Sequence, residues 1–143
     1  MINIKKFLAL CFLSILLSCT SQARYVGGVY IFNVCITPIT VTSYNDTGRY
    51  LDFIGQGGIV LMPGENRAWL TFNMSNVYVR SDISNFFIDN GQDNFRVNFS
   101  DGYREKTFTA RQVILLLKDV TTQEDQQRGR MVYEIRDNSM CPD

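Results

Sequence analysis

The sequence predicts an all-β fold, a single antiparallel sandwich or barrel-like domain of about eight short strands. From Gly28 onward apolar residues recur mostly at every second position, the period of a half-buried strand. Clusters of Asn, Asp, Gly and Pro interrupt that pattern at short intervals. The chain has 143 residues, enough for one ordinary domain and too few for two. With 45% hydrophobic and 20% charged residues, it is neither a disordered tail nor a multi-span membrane protein.

The elements follow in order. Residues 29–34 and 39–44 are β-branched and aromatic runs, separated by Thr37-Pro38. Asn45-Asp46-Thr47-Gly48 is a turn cluster, and a run over 50–54 ends at Gly55-Gln56-Gly57-Gly58. Residues 59–61 lead to Pro63-Gly64, a pair suited to a type II turn. Ala68, Leu70 and Phe72 then alternate with Trp69 and Thr71, which predicts opposite faces for the two sets. Residues 77–80 and 83–88 are further strand candidates. Phe95, Val97 and Phe99 alternate with Asn94, Arg96 and Asn98, between the turn signals Asp89-Asn90-Gly91 and Ser100-Asp101-Gly102.

Residues 110–119 allow two readings. Thr109-Ala110-Arg111-Gln112 fits a capping box, so a short helix could follow. We favour a buried strand through the aliphatic run 113–117, pairing as a hairpin with residues 131–136 across an exposed polar loop at 121–130.

Met1-Ile2-Asn3-Ile4-Lys5-Lys6 precedes an apolar run over 7–17, the charged and hydrophobic regions of an export signal. That run is too short to span a bilayer. Leu16-Leu17-Ser18-Cys19 resembles the lipobox of bacterial prolipoproteins, in which the cysteine becomes the lipidated first residue. The resemblance covers this leader alone, and Leu17 is bulkier than the residue usual at that position. It implies a signal peptide over 1–18, lipidation of Cys19, a tether over 19–27 and a domain over 28–143. Thr20, where inner-membrane lipoproteins carry Asp, points by the same resemblance to the outer membrane. The alternative is cleavage after Ser21-Gln22-Ala23, a signal over 1–23 and a soluble periplasmic or secreted product.

Both readings discard Cys11 and leave Cys35 and Cys141 in the domain, which in an oxidising compartment predicts a disulfide. Such a bond would hold the first strand against the last.

Lys+Arg and Asp+Glu each number 14, which gives no basic field for nucleic acid. Histidine is absent, which removes Ser-His and Cys-His dyads and His-bearing zinc sites. No cofactor or metal is expected, and no catalytic residue is assigned. Asp89, Asp93, Glu124 and Asp125 would carry a carboxylate hydrolase only if two of them converged in one cleft. Residues 89–93 would make a calcium loop only with the ligand spacing they lack. Trp69, Tyr103, Arg128 and Arg130 are the binding candidates, as amphipathic aromatic or planar cationic groups. Arg96 and Arg104 are weaker ones, and the three Asn-x-Ser/Thr sequons at Asn45, Asn73 and Asn98 matter only in a eukaryotic source.

We expect a non-enzymatic envelope module, held on a membrane by lipid, that contacts an envelope or secreted protein. Accessory lipoproteins of secretion machines and immunity or inhibitor lipoproteins share that profile by architecture alone. A soluble sandwich that binds carbohydrate or a host surface is the alternative.

Overall fold

The structure is a computed structural model and describes residues 25–46, 51–55, 57–74 and 83–142. The expected leader and lipobox, and the strand expected at 77–80, lie outside the described residues. The elements are β1 (Tyr25–Phe32), β2 (Ile39–Asn45), β3 (Leu51–Phe53), β4 (Ile59–Leu61), β5 (Asn66–Met74), α1 (Ser84–Phe87), β6 (Ile88–Asp89), β7 (Gln92–Asp93) and β8 (Phe95–Ser100). They continue as β9 (Glu105–Thr109), α2 (Ala110–Leu116), β10 (Leu117–Asp119), α3 (Gln123–Gln127), β11 (Arg130–Ile135) and a 3₁₀ turn, Asn138–Met140.

Two sheets pack face to face, as the alternating pattern requires. One has the order β10-β11-β1-β5-β3 and the other β4-β2-β8-β9; β6 and β7 form a separate two-stranded ribbon. Val29, Ile31, Leu70, Phe72 and Ile135 point inward from the first sheet and meet Ile39, Val41, Leu61, Val97 and Phe99 from the second. Among the described residues, all but one of the strand pairings are antiparallel. The exception is β1 with β11, which run parallel from Val26↔Arg130 to Ile31↔Ile135. Parallel neighbours finish at the same end, so the chain segments beyond β1 and β11 emerge together. The first strand begins at Tyr25, ahead of the domain start expected at Gly28.

Three segments depart from the sequence expectation. The run 113–117 is mostly helical rather than a buried strand. The Thr109 hydroxyl accepts the Gln112 amide at 3.4 Å, and the Gln112 side chain accepts the Thr109 amide at 2.9 Å, so the capping box decides the conformation. Helical geometry then buries Ala110 and Val113 and leaves Leu115 81% exposed, where a central strand would have covered it. The hairpin relation survives in part, because β10 pairs antiparallel with β11 from Leu117↔Ile135.

The polar segment expected as an open loop carries α3, capped by Thr122 and Asp125. Residues 84–87, expected in a strand, form α1 instead. Tertiary packing accounts for that turn: Phe87 is fully buried edge-on to Phe95 at 4.9 Å, and Asn94 donates through its side chain to the Phe86 carbonyl.

A bulge in β5 explains the fate of Trp69. Pairing with β1 shifts from Val29↔Leu70 to Tyr30↔Ala68, so Trp69 is the extra residue and turns inward beside Leu70. Among the described residues, no helix is long and apolar enough to cross a membrane.

Candidate functional site

The ends of β1 and β11, the start of β2 and the β8–β9 turn converge on one pole of the sandwich. Cys35, just beyond β1, is bonded to Cys141, just beyond the 3₁₀ turn, with Cα atoms 5.6 Å apart. Parallel β1–β11 pairing is what brings cysteines 106 residues apart in sequence to the same place. Beside the disulfide lies a cleft of about 430 Å³, lined by Val34, Ile36, Thr37, Arg104, Asn138 and Pro142 as well as both cysteines.

Each wall is fixed by side chain to backbone hydrogen bonds. Asn33 is fully buried and holds the 33–38 loop. Its amide donates to the carbonyls of Leu61 at 2.9 Å and Thr37 at 3.1 Å, and its oxygen accepts the Cys35 N–H at 2.8 Å. A polar side chain with three bonds in the core is stable only while all are made. Asn33→Ala is therefore expected to lower unfolding free energy by ~1–3 kcal/mol in urea denaturation. Ile36, at the tip of this loop, is 96% exposed.

Asp101 fixes the opposite wall. Its carboxylate accepts the backbone N–H groups of Arg104 at 2.8 Å and Tyr103 at 2.9 Å, and these two bonds hold its pKa below the ordinary 3.8. Gly102, with φ of 90°, supplies the left-handed residue that the turn needs. The result presents Tyr103, which is 97% exposed. Next to the lining residue Asn138, Asp137 accepts the Ser139 N–H at 2.8 Å and is likewise shifted down, first by that bond. The Lys106 ammonium reaches the Cys141 carbonyl at 3.4 Å.

Both carboxylates favour the charged, folded state, so their contribution is complete above the ordinary 3.8 and lost as pH falls through the lowered folded values. Acidification through that range should raise amide hydrogen exchange at Tyr103, Arg104 and Ser139 before the central strands respond. Uniform loss of protection across the sandwich would contradict this order.

The residues singled out from sequence are scattered. Tyr103 stands at this pole. Trp69 is 1% exposed and donates its indole N–H to the Ser43 hydroxyl at 2.7 Å, so it offers no stacking surface. Its rings instead pack against Phe53 and Phe95. Arg128 and Arg130 lie at the other pole, paired with Glu124 at 2.6 Å and with Asp125 at 3.1 Å. Arg96 is bound by Asp46 through two nitrogens at 2.9 and 3.0 Å, which lowers the Asp46 pKa.

The acidic candidates also have structural partners. Asp93 accepts the Arg111 N–H in the first turn of α2 at 2.7 Å, and Asp125 caps α3. No group of three His, Cys, Asp or Glu that could hold a metal occurs among the described residues. Ile36 escaped the sequence reading because a lone apolar residue next to Thr37-Pro38 looks like part of a break; only the Asn33 bonds reveal that it is displayed.

No family model, curated protein or solved structure matches this chain.

Proposed function

We propose that this chain is an exported, lipid-anchored envelope module without catalytic activity, and that it contacts another protein through the pole carrying the disulfide. The Cys35–Cys141 bond is the observation that supports it most strongly, because such a bond persists outside the reducing cytosol. The apolar leader and Leu16-Leu17-Ser18-Cys19 supply the export and anchoring signals.

The spacing fits the role. Cys19 precedes Tyr25 by a few residues, which reach ~20 Å at most when extended. Strand β1 then rises ~26 Å toward Cys35. A lipid at Cys19 thus holds one pole near a leaflet and carries Ile36 and Tyr103 to the far side. Contact residues fixed before binding lose little freedom on association.

Mass spectrometry of the N-terminal peptide tests the anchor. Acylated Cys19 is the expected result; an unmodified N-terminus at Arg24 would remove the anchor and favour the soluble alternative. For the contact, a photo-crosslinking side chain at Tyr103 should join the chain to one stoichiometric envelope or secreted protein. Ile36→Asp should abolish that adduct, and an equal yield from a probe at Arg128 would contradict the assignment of the pole.

A further inference from the structure

We infer that the outer face of the five-stranded sheet is a docking surface for a second copy of this chain, centred on Gly28. Strand β1, YVGGVYIF, contains no charged or amide side chain, yet only one of its faces meets the core. Gly27, Val29 and Ile31 are buried, whereas Val26 and Tyr30 are 48% and 37% exposed on the outer side. Among their registered neighbours, Val132 opposite Gly28 and Ala68 opposite Tyr30 are apolar, and Val120, 42% exposed, follows β10 on the same face. Arg130 and Asn73 beside Val26, Thr71 beside Gly28 and Glu134 beside Tyr30 form a polar surround. A solvent-facing central strand ordinarily carries polar residues at these positions.

The two glycines separate the demands of the monomer from those of a partner. A Cβ on Gly27 would lie 2.0 Å from the Phe72 ring, so the core itself excludes any side chain there. A Cβ on Gly28 would meet only Tyr30 Cε2, at an ordinary 3.5 Å, and Gly28 is not among the residues with positive φ. Nothing among the described residues asks for glycine at 28, and glycine weakens a strand interior. Close approach by an outside surface does ask for it.

The face is complementary to itself. Lys118 on β10 and Asp52 on β3 are both exposed and share this outer side at its two opposite edges, by the registers Lys118↔Glu134↔Tyr30 and Asp52↔Thr71↔Gly28. A two-fold axis running along the strands sets the β10 edge of one copy over the β3 edge of the other, which gives two Lys118–Asp52 pairs per dimer. Each pair is offset by two residues, ~7 Å, along the strands and within reach of the lysine side chain. Sheets stack in this way about 10 Å apart. The 29 strand residues of this sheet offer roughly 460 Å² in plan, well below the ~800 Å² per partner of a standard interface, which fits a weak, reversible dimer.

Sedimentation equilibrium on the processed protein, kept in nonionic detergent, tests this directly. Wild type should move from monomer toward dimer mass as concentration rises. Gly28→Arg should weaken association about thirtyfold or more while leaving the far-ultraviolet spectrum and the melting transition in place. Lys118→Glu should also dissociate the dimer, and adding Asp52→Lys should restore it, a readout that holds even if Gly28→Arg disturbs the sheet. A monomer at every concentration, or equal weakening by Ile36→Asp at the far pole, would overturn the proposal. So would association only with a different protein. Because the test does not depend on Cys19, it can fail while the anchor stands, and the reverse.

Discussion

Cys141→Ser, or reduction of the wild-type bond, is expected to lower unfolding free energy by ~4–5 kcal/mol. The chain-entropy model gives that magnitude for a closed loop of 106 residues. It is a large share of the ~5–15 kcal/mol that holds an ordinary domain together. The effect should fall unevenly. With the bond cut, the 33–38 loop keeps its Asn33 bonds to Leu61 and Thr37, while the C-terminal segment keeps the Lys106 contact and buried Met140. The C-terminus should therefore lose hydrogen-exchange protection first. Urea denaturation with and without reductant measures the total, and a loss below ~1 kcal/mol would mean that the disulfide is not the clasp that joins the ends.

Trp69→Ala should cost ~3–5 kcal/mol, the range for deleting a large aromatic side chain from a packed core. Three ring contacts meet at this point, since Phe53, Phe95 and Trp69 lie mutually 5.4–5.6 Å apart. Removing the indole takes away two of those contacts and leaves the Ser43 hydroxyl without its donor. Trp69→Phe should recover most of the packing and lose the hydrogen bond, so the difference between the variants isolates the polar part. Were Trp69 a surface ligand group, either change would lower binding and leave the melting transition unmoved.

Trp69 also marks where sequence legibility stops. Period-two alternation grouped Ala68, Leu70 and Phe72 on one face against Trp69 and Thr71; Leu70 and Phe72 do point inward together, but Trp69 joins them and Ala68 does not. The β5 bulge turns Trp69 inward and moves Ala68 to the opposite face from Leu70, and a bulge depends on register with β1, which lies elsewhere in the chain. Residues 113–117 show a second limit. Five consecutive aliphatics carry no period, and the deciding signal was the Thr109–Gln112 pair just upstream. Strand β8 read correctly because Phe95, Val97 and Phe99 sit between two strong turns. The disulfide was legible from composition, once the leader cysteines were set aside. The pole around it was not, because Ile36 and Tyr103 become a surface only through bonds made by Asn33 and Asp101.

Gly27 and Gly28 are adjacent and identical in sequence, yet one is demanded by the Phe72 ring and the other by nothing among the described residues. No single-sequence pattern separates them. Only the direction of each missing Cβ does.

Peptide mapping of the native protein, alkylated before any reductant is added, tests the central claim most directly. We expect a peptide pair joined through Cys35 and Cys141 that separates only on reduction. Recovery of both cysteines as alkylated thiols, from protein that still carries its leader, would contradict the placement of this sandwich outside the cytosol.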